Sequence, residues 1–268
     1  MHYLYGVTTI YNFIARMFKA GILFINTIAS LLYIATAEGE APKTTLTQLA
    51  VVNTVTHNDW NTLLQKHVDA EGNVDYKGFQ NDKQALKTYL DDLAQNEPAP
   101  SWTKEERLAY YINLYNAGTV LLILDHYPTK SIKDISNPWG EDRVFIGEKK
   151  YSLGDIEHKI LRKMDEPRIH FAINCASYSC PKLWNKAFTA PNLESQLDIV
   201  TKDFITDSKR NRITENKVEL SNIFKWYKKD FTENGALIDY INTYSKTKIG
   251  TDAKISYLKY DWSLNERK

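Results

Sequence analysis

An excess of charge of either sign is the first thing this chain lacks. Lys and Arg number 34 against 33 Asp and Glu, a formal net charge of +1 at pH 7. No bulk attraction to nucleic acid or to an anionic membrane surface follows from that balance. Basic clusters such as Lys225, Lys228 and Lys229 are short and read as a solvated helix face. Cysteine is nearly absent as well: Cys175 and Cys180 are the only two. Their Cys-x4-Cys spacing is wider than a zinc knuckle, so no metal site and no cofactor is expected from them. Internal repeats and low-complexity segments are missing. So is an uninterrupted apolar run of the roughly 18 residues that a membrane span needs, because residues 21–34 are broken by Asn26, Thr27 and Ser30.

What stands at the N-terminus is the pattern of an export signal. Met17 and Lys19 give a positive start, residues 21–34 are mostly apolar, and Ala35-Thr36-Ala37 matches a small-x-small cleavage site. Residues 1–37 are therefore expected to be a signal peptide, with Met17 as the alternative start, followed by a linker over 38–54 and one domain over 55–265. The expected location is periplasmic or secreted; the other reading is an uncleaved segment anchoring the chain to the membrane, its only membrane contact. In an oxidising compartment the two cysteines are expected to pair.

The remaining pattern predicts helices with a few short strands. Trp60, Leu63, Leu64 and Val68 have helical spacing, as do Leu86, Leu90 and Leu93 on a helix over 79–93. Thr103 and Glu106 form a capping box for the longest helix, through about Leu124, ahead of Pro128. Residues 144–153 read as a hairpin turning at Gly147-Glu148. Asp155 caps a short helix to about Lys163. Residues 193–207, 221–229 and 233–244 read as helices, and residues 169–175, 217–220 and 255–262 as strands. The fold class is α+β: a mainly helical single domain with a small sheet of short strands. The loop from Asp69 to Asp75 imitates a calcium loop, but its glycine, Gly72, falls at the fourth position and Gln80 stands where the closing glutamate belongs; it is rejected as a site.

Three constellations carry chemistry. The first is the cysteine segment, with Arg168, His170, Asn174, Ser177 and Ser179 around Cys175 and Cys180. On a straight strand at ~3.3 Å per residue, His170 and Cys175 lie on opposite faces roughly 16 Å apart, too far for a nucleophile–base pair. The second is Tyr110, Asn113 and Asn116 on the long helix, either a hydrogen-bond network fastening loops or an amide pair lining a pocket, with Gly118 letting another backbone approach closely. The third is Glu157 and His158, the latter the preferred base from outside the cysteine segment. His126 reads as a helix-end cation, and His57 and His67 as surface residues. Trp139, Trp184, Trp226 and Trp262 are candidates for a groove that binds sugar or peptide.

Several motifs in order carry a resemblance: residues 111–117, Glu157-His158 with Leu161-Arg162, residues 168–181, residues 223–231 and the ending 260–265. Over most of residues 55–265 the chain resembles the domain of unknown function family 547. The resemblance implies an exported bacterial protein, with plant relatives joined to leucine-zipper or glutaredoxin-type segments, and implies no established activity. Two functions stand open. One is a cysteine-dependent hydrolase, transferase or thiol-redox protein, with Cys175 or Cys180 as nucleophile, His158 or His170 as base, Asn113 or Asn116 orienting it and Arg168 holding a carboxylate. The other is a non-catalytic binding or interaction module with a structural disulfide. The partner in either case is an unidentified small molecule or peptide.

Overall fold

The computed structural model describes residues 55–268; the expected signal peptide and linker lie outside the described residues. The fold is α+β and mainly helical. It is organised around one helix, α4 (Lys104–Asp125), preceded by α1 (Asn58–His67), α2 (Tyr76–Phe79) and α3 (Lys83–Gln95). The Thr103 hydroxyl accepts the Glu106 N–H and the Glu106 carboxylate accepts the Thr103 N–H, so the capping box forms as its spacing predicts. From Leu108 to Leu124 this helix is buried on nearly every face, the expected state of a helix that is apolar all round.

The hairpin of β1 (Asp142–Ile146) and β2 (Lys149–Ser152) packs on this helix. Gly147 turns it with φ +58°, and its N–H donates to Ala94 O at 2.9 Å. Gly118 admits a close neighbour, but side chains rather than another backbone: a Cβ there would stand 2.8 Å from Val144 and 3.2 Å from Leu153. After the hairpin the chain forms a single π-helical run, Asp155–Ile160, tightening into a 3-10 turn, Leu161–Lys163. Ser152 and Asp155 hold its start reciprocally.

Next come α5 (Ile169–Ala172), α6 (Leu193–Thr206), α7 (Ile223–Trp226), α8 (Lys228–Phe231) and α9 (Leu237–Tyr244). The second sheet has the order β3 (Arg212–Ile213), β4 (Lys217–Leu220), β5 (Lys254–Tyr257), antiparallel then parallel. Several boundaries differ from the sequence reading. The expected helix from 79 starts with a 3-10 turn and becomes α-helical at Lys83. The helix from Ser221 divides at Tyr227, and the one from 233 begins at Leu237. The terminal strand stops at Tyr257, because the chain then leaves the sheet to cross the cysteine segment: Tyr178 N–H donates to Ser263 O and Ser179 N–H to Asp261 O. Among the described residues no helix is long and apolar enough to cross a membrane.

Candidate functional site: a thiol pair in an aromatic pocket

Residues 169–175 are not a strand. Ile169–Ala172 form one helical turn and the chain becomes extended at Ile173. A short apolar run has the same composition in a buried helix and in a buried strand, so periodicity alone misassigns it. Phe171 of this turn packs against Phe204, Phe224 and Phe231, a burial that contributes about 2–3 kcal/mol. Asn116 then fixes the exit: its Nδ2 donates to Ala172 O at 2.9 Å and its Oδ1 accepts the Asn174 N–H at 2.8 Å. Asn174 repeats the device one step on, accepting the Ala176 N–H at 2.8 Å and donating to Pro181 O at 2.7 Å. Between them Ala176, fully buried, adopts φ +58°, a left-handed conformation that costs a non-glycine residue about 1–2 kcal/mol. This corner folds Cys180 back under Cys175.

The two sulfurs are not bonded; both cysteines are free thiols. The expected disulfide is replaced by a hydrogen-bonded pair, in which the Cys175 N–H donates to Cys180 Sγ at 3.0 Å. Cys175 Sγ lies 2.9 Å from Ser177 Oγ and 3.5 Å from the Tyr260 hydroxyl. The Cys180 thiol, then the Ser177 and Tyr260 hydroxyls, stabilise a Cys175 thiolate against the cost of burial and bring its pKa down to about 7. Burial, and then the neighbouring Cys175, push Cys180 up. The thiol of the part-buried Cys175 is thus shifted towards the thiolate, and that of the buried Cys180 beside it towards the protonated form.

The opposite wall is built from the π-helical run, α5 and the α7–α8 junction. Glu157 is buried and accepts a hydrogen bond on each oxygen, from Tyr115 at 3.1 Å and from Tyr227. The His170 ring stacks on Tyr227 at 3.9 Å, and its Nε2 donates to Asp230 Oδ2 at 2.8 Å. Burial pushes the His170 imidazole down. Burial acts to raise the Asp230 carboxyl, but the two-pronged Arg162 guanidinium, both contacts 2.7 Å, and His170 outweigh it and hold the group below the usual carboxylate range. His158 sits at the mouth with its Nδ1 3.8 Å from Glu157.

Cys175, Cys180, Glu157, His158 and His170 line one pocket of about 260 Å³. Trp139, Trp226, Tyr260 and Trp262 line it as well, Tyr260 directly beside Cys175. No hydrogen bond joins His170 to Cys175, so the two share a cavity without forming a dyad. Three of the four candidate tryptophans face this cavity; Trp184 lines a separate one.

Other candidates serve the scaffold. Asn113 clamps the Phe188 backbone, donating to its O at 2.7 Å and accepting its N–H at 3.1 Å. Neither Asn113 nor Asn116 lines the pocket, and both amides are taken up by loop backbone. The Tyr110 hydroxyl donates to Leu93 O. Arg168 is saturated by Glu166, Glu194 and Asp198, which leaves no free donors for a substrate carboxylate. Ser179 Oγ accepts the Asp261 N–H. His57 and His67 are buried rather than on the surface, hydrogen-bonded to Tyr89 and Asp82 respectively. Among the described residues no group of three or more His, Cys, Asp or Glu is placed to hold a metal ion.

The residues that the sequence reading missed as site groups are Tyr115, Tyr227, Asp230 and Tyr260. A signal was present for two of them: Tyr227 and Asp230 stand three apart, the spacing that brings side chains to one helical face. Tyr260 joins the site only because the tail folds back over the cysteine corner. No curated protein and no solved structure matches the chain. A family model described as "Protein of unknown function, DUF547" matches residues 99–205, a span that holds Tyr115, Glu157, His170 and both cysteines but ends before Tyr227, Asp230 and Tyr260. Over that span the chain resembles the DUF547 family.

Proposed function

We propose that this protein carries out thiol–disulfide exchange, with Cys175 as the attacking thiolate and Cys180 as the resolving thiol. The observation that carries the reading is the asymmetry of the pair: Cys175, a part-buried residue lining the pocket, has its pKa lowered to about 7 by three donors, and Cys180 beside it is buried with its thiol pushed up. In the first step the Cys175 thiolate attacks one sulfur of a substrate disulfide, the S–S bond breaks, and the electron pair leaves on the other substrate sulfur. Cys180 then loses its proton to solvent or to the departing thiolate and attacks Cys175 Sγ, expelling the second substrate thiolate. The substrate disulfide is reduced to two thiols and the Cys175–Cys180 pair is oxidised; an external dithiol returns it by the reverse exchange. The disulfide expected from the sequence is then one redox state of the site.

Acyl transfer by Cys175 is less well supported, because no histidine is hydrogen-bonded to the sulfur and the Cys175 N–H is already taken by Cys180. Export remains part of the proposal, resting on the N-terminal sequence pattern alone. The test is trapping. Reduced protein carrying Cys180→Ser, treated with 2-hydroxyethyl disulfide, is expected to accumulate a mixed disulfide on Cys175 by intact mass, while wild type proceeds to the internal disulfide and Cys175→Ser stays unmodified. Failure of Cys175 to form the adduct, or equal labelling of Cys175→Ser at Cys180, overturns the reading and leaves a binding module with structural thiols.

A further inference from the structure

We propose that the pocket beside Cys175 selects a disulfide or thiol bearing a cationic group, an alkylammonium or similar, a short spacer away from the reacting sulfur. The inference rests on the thiol-exchange reading. Its starting point is an aromatic cluster that begins at the nucleophile and lines the pocket, Trp226 stacking on Trp262 at 5.7 Å. The Tyr260 hydroxyl is 3.5 Å from Cys175 Sγ, and the Tyr260 ring is 4.5 Å from that of Trp262 and 4.8 Å from that of Trp226. Trp139 closes on Trp262 at 5.9 Å. Faces of tryptophan and tyrosine carry the negative end of the ring quadrupole and attract a cation within about 6 Å. The Trp262 ring already receives one, since Lys133 Nζ stands 5.2 Å from its centroid.

Charge around the cavity points the same way. Glu157 is its only carboxylate, and no lysine or arginine lines it. Asp230 is neutralised by Arg162 behind His170, whereas the hydrogen bonds to Glu157 come only from tyrosine hydroxyls, the half-exposed His158 ring standing 3.8 Å from it. Burial disfavours the charged form of His170; His158, half exposed at the mouth, is the other lining group able to carry positive charge. A buried carboxylate facing aromatic walls without a fixed cation favours a ligand that brings one. An anionic disulfide would meet Glu157 and the thiolate together.

The experiment compares three disulfides of similar size with the reduced full chain: cystamine, 2-hydroxyethyl disulfide and 3,3′-dithiodipropionate. Each rate is divided by that of free 2-mercaptoethanol, which removes the attraction any thiolate exerts. Cystamine is expected to lead and the dianion to trail, the extremes differing by about 10-fold or more. Glu157→Gln and Trp262→Leu should each compress that ratio. A second measurement is independent of exchange: tetramethylammonium should quench tryptophan fluorescence of wild type saturably, and neopentyl alcohol, its neutral counterpart, should not. Equal normalised rates, or quenching by the alcohol as strong as by the cation, overturn the cation site. Quenching by the cation with no exchange on any disulfide supports the cation site and overturns the thiol reading instead.

Discussion

Asn113 and Asn116 stand one turn apart on α4 and perform the same task on two different loops. Each presents its amide to the backbone of a passing segment, donating through Nδ2 to one carbonyl and accepting one N–H through Oδ1. The Asn113 loop at Phe188 carries no residue of the thiol pocket, whereas the Asn116 loop runs directly into Cys175. Identical clamps of similar length and burial therefore have different consequences. The chemistry comes from what hangs beyond the clamp: a left-handed Ala176, a second amide at Asn174, and two thiols brought back on each other. Buried asparagines in an apolar helix signal that loops are fastened there, and the activity is decided by the loop.

The largest test of this comparison removes each clamp. Asn113→Ala and Asn116→Ala should each cost about 2–4 kcal/mol in urea denaturation, since each leaves a buried N–H and C=O without partners. Only Asn116→Ala should also shift the pH midpoint of Cys175 alkylation. A shift of equal size in both variants would mean that the thiol corner is not held locally.

Acid separates the two regions next. Burial pushes the His57 imidazole, remote from the pocket, down to about 4 from an ordinary 6.5. The folded state therefore refuses a proton that the unfolded chain accepts between these values, so this contribution is complete above pH 6.5 and is lost as pH falls towards 4. It amounts to about 3 kcal/mol. His57→Gln should flatten the acid limb of the stability curve by that amount and leave Cys175 reactivity unchanged; an unaltered acid limb would contradict the assignment.

A smaller effect sharpens the pocket side alone. Tyr260→Phe deletes one of the donors to Cys175 and should raise its alkylation midpoint by about one pH unit, with Ser177→Ala acting in the same direction. No movement in either variant would remove these hydroxyls from the account.

Much of the scaffold was legible in the residues. The helix at 58–67, the capping box at Thr103 and the hairpin at Gly147 follow from spacing and turn chemistry, and they appear where expected. The cysteine segment did not yield to the same reasoning. Its apolar run suits either element, and the Asn116 amide at Ala172 and Asn174, more than fifty residues distant in sequence, secures its backbone where the short helix ends. The error had a cost: strand geometry set His170 and Cys175 on opposite faces, whereas the helical turn and the Ala176 corner bring them to one cavity. Glu157 and His170 were singled out, but their partners Tyr115, Tyr227 and Asp230 were not, because a pairing across the fold leaves no local pattern. The Tyr260 contact likewise depends on a tail that departs from its sheet at Tyr257 to cross the corner.

The central claim is that Cys175 is an activated thiol. It is tested most directly by the pH dependence of iodoacetamide alkylation of Cys175 in the reduced full chain, read by peptide mass. The structure predicts a midpoint at about 7, with Cys180 unmodified across the same range; a midpoint near the ordinary thiol value of about 8.5, or Cys180 reacting first, would contradict it.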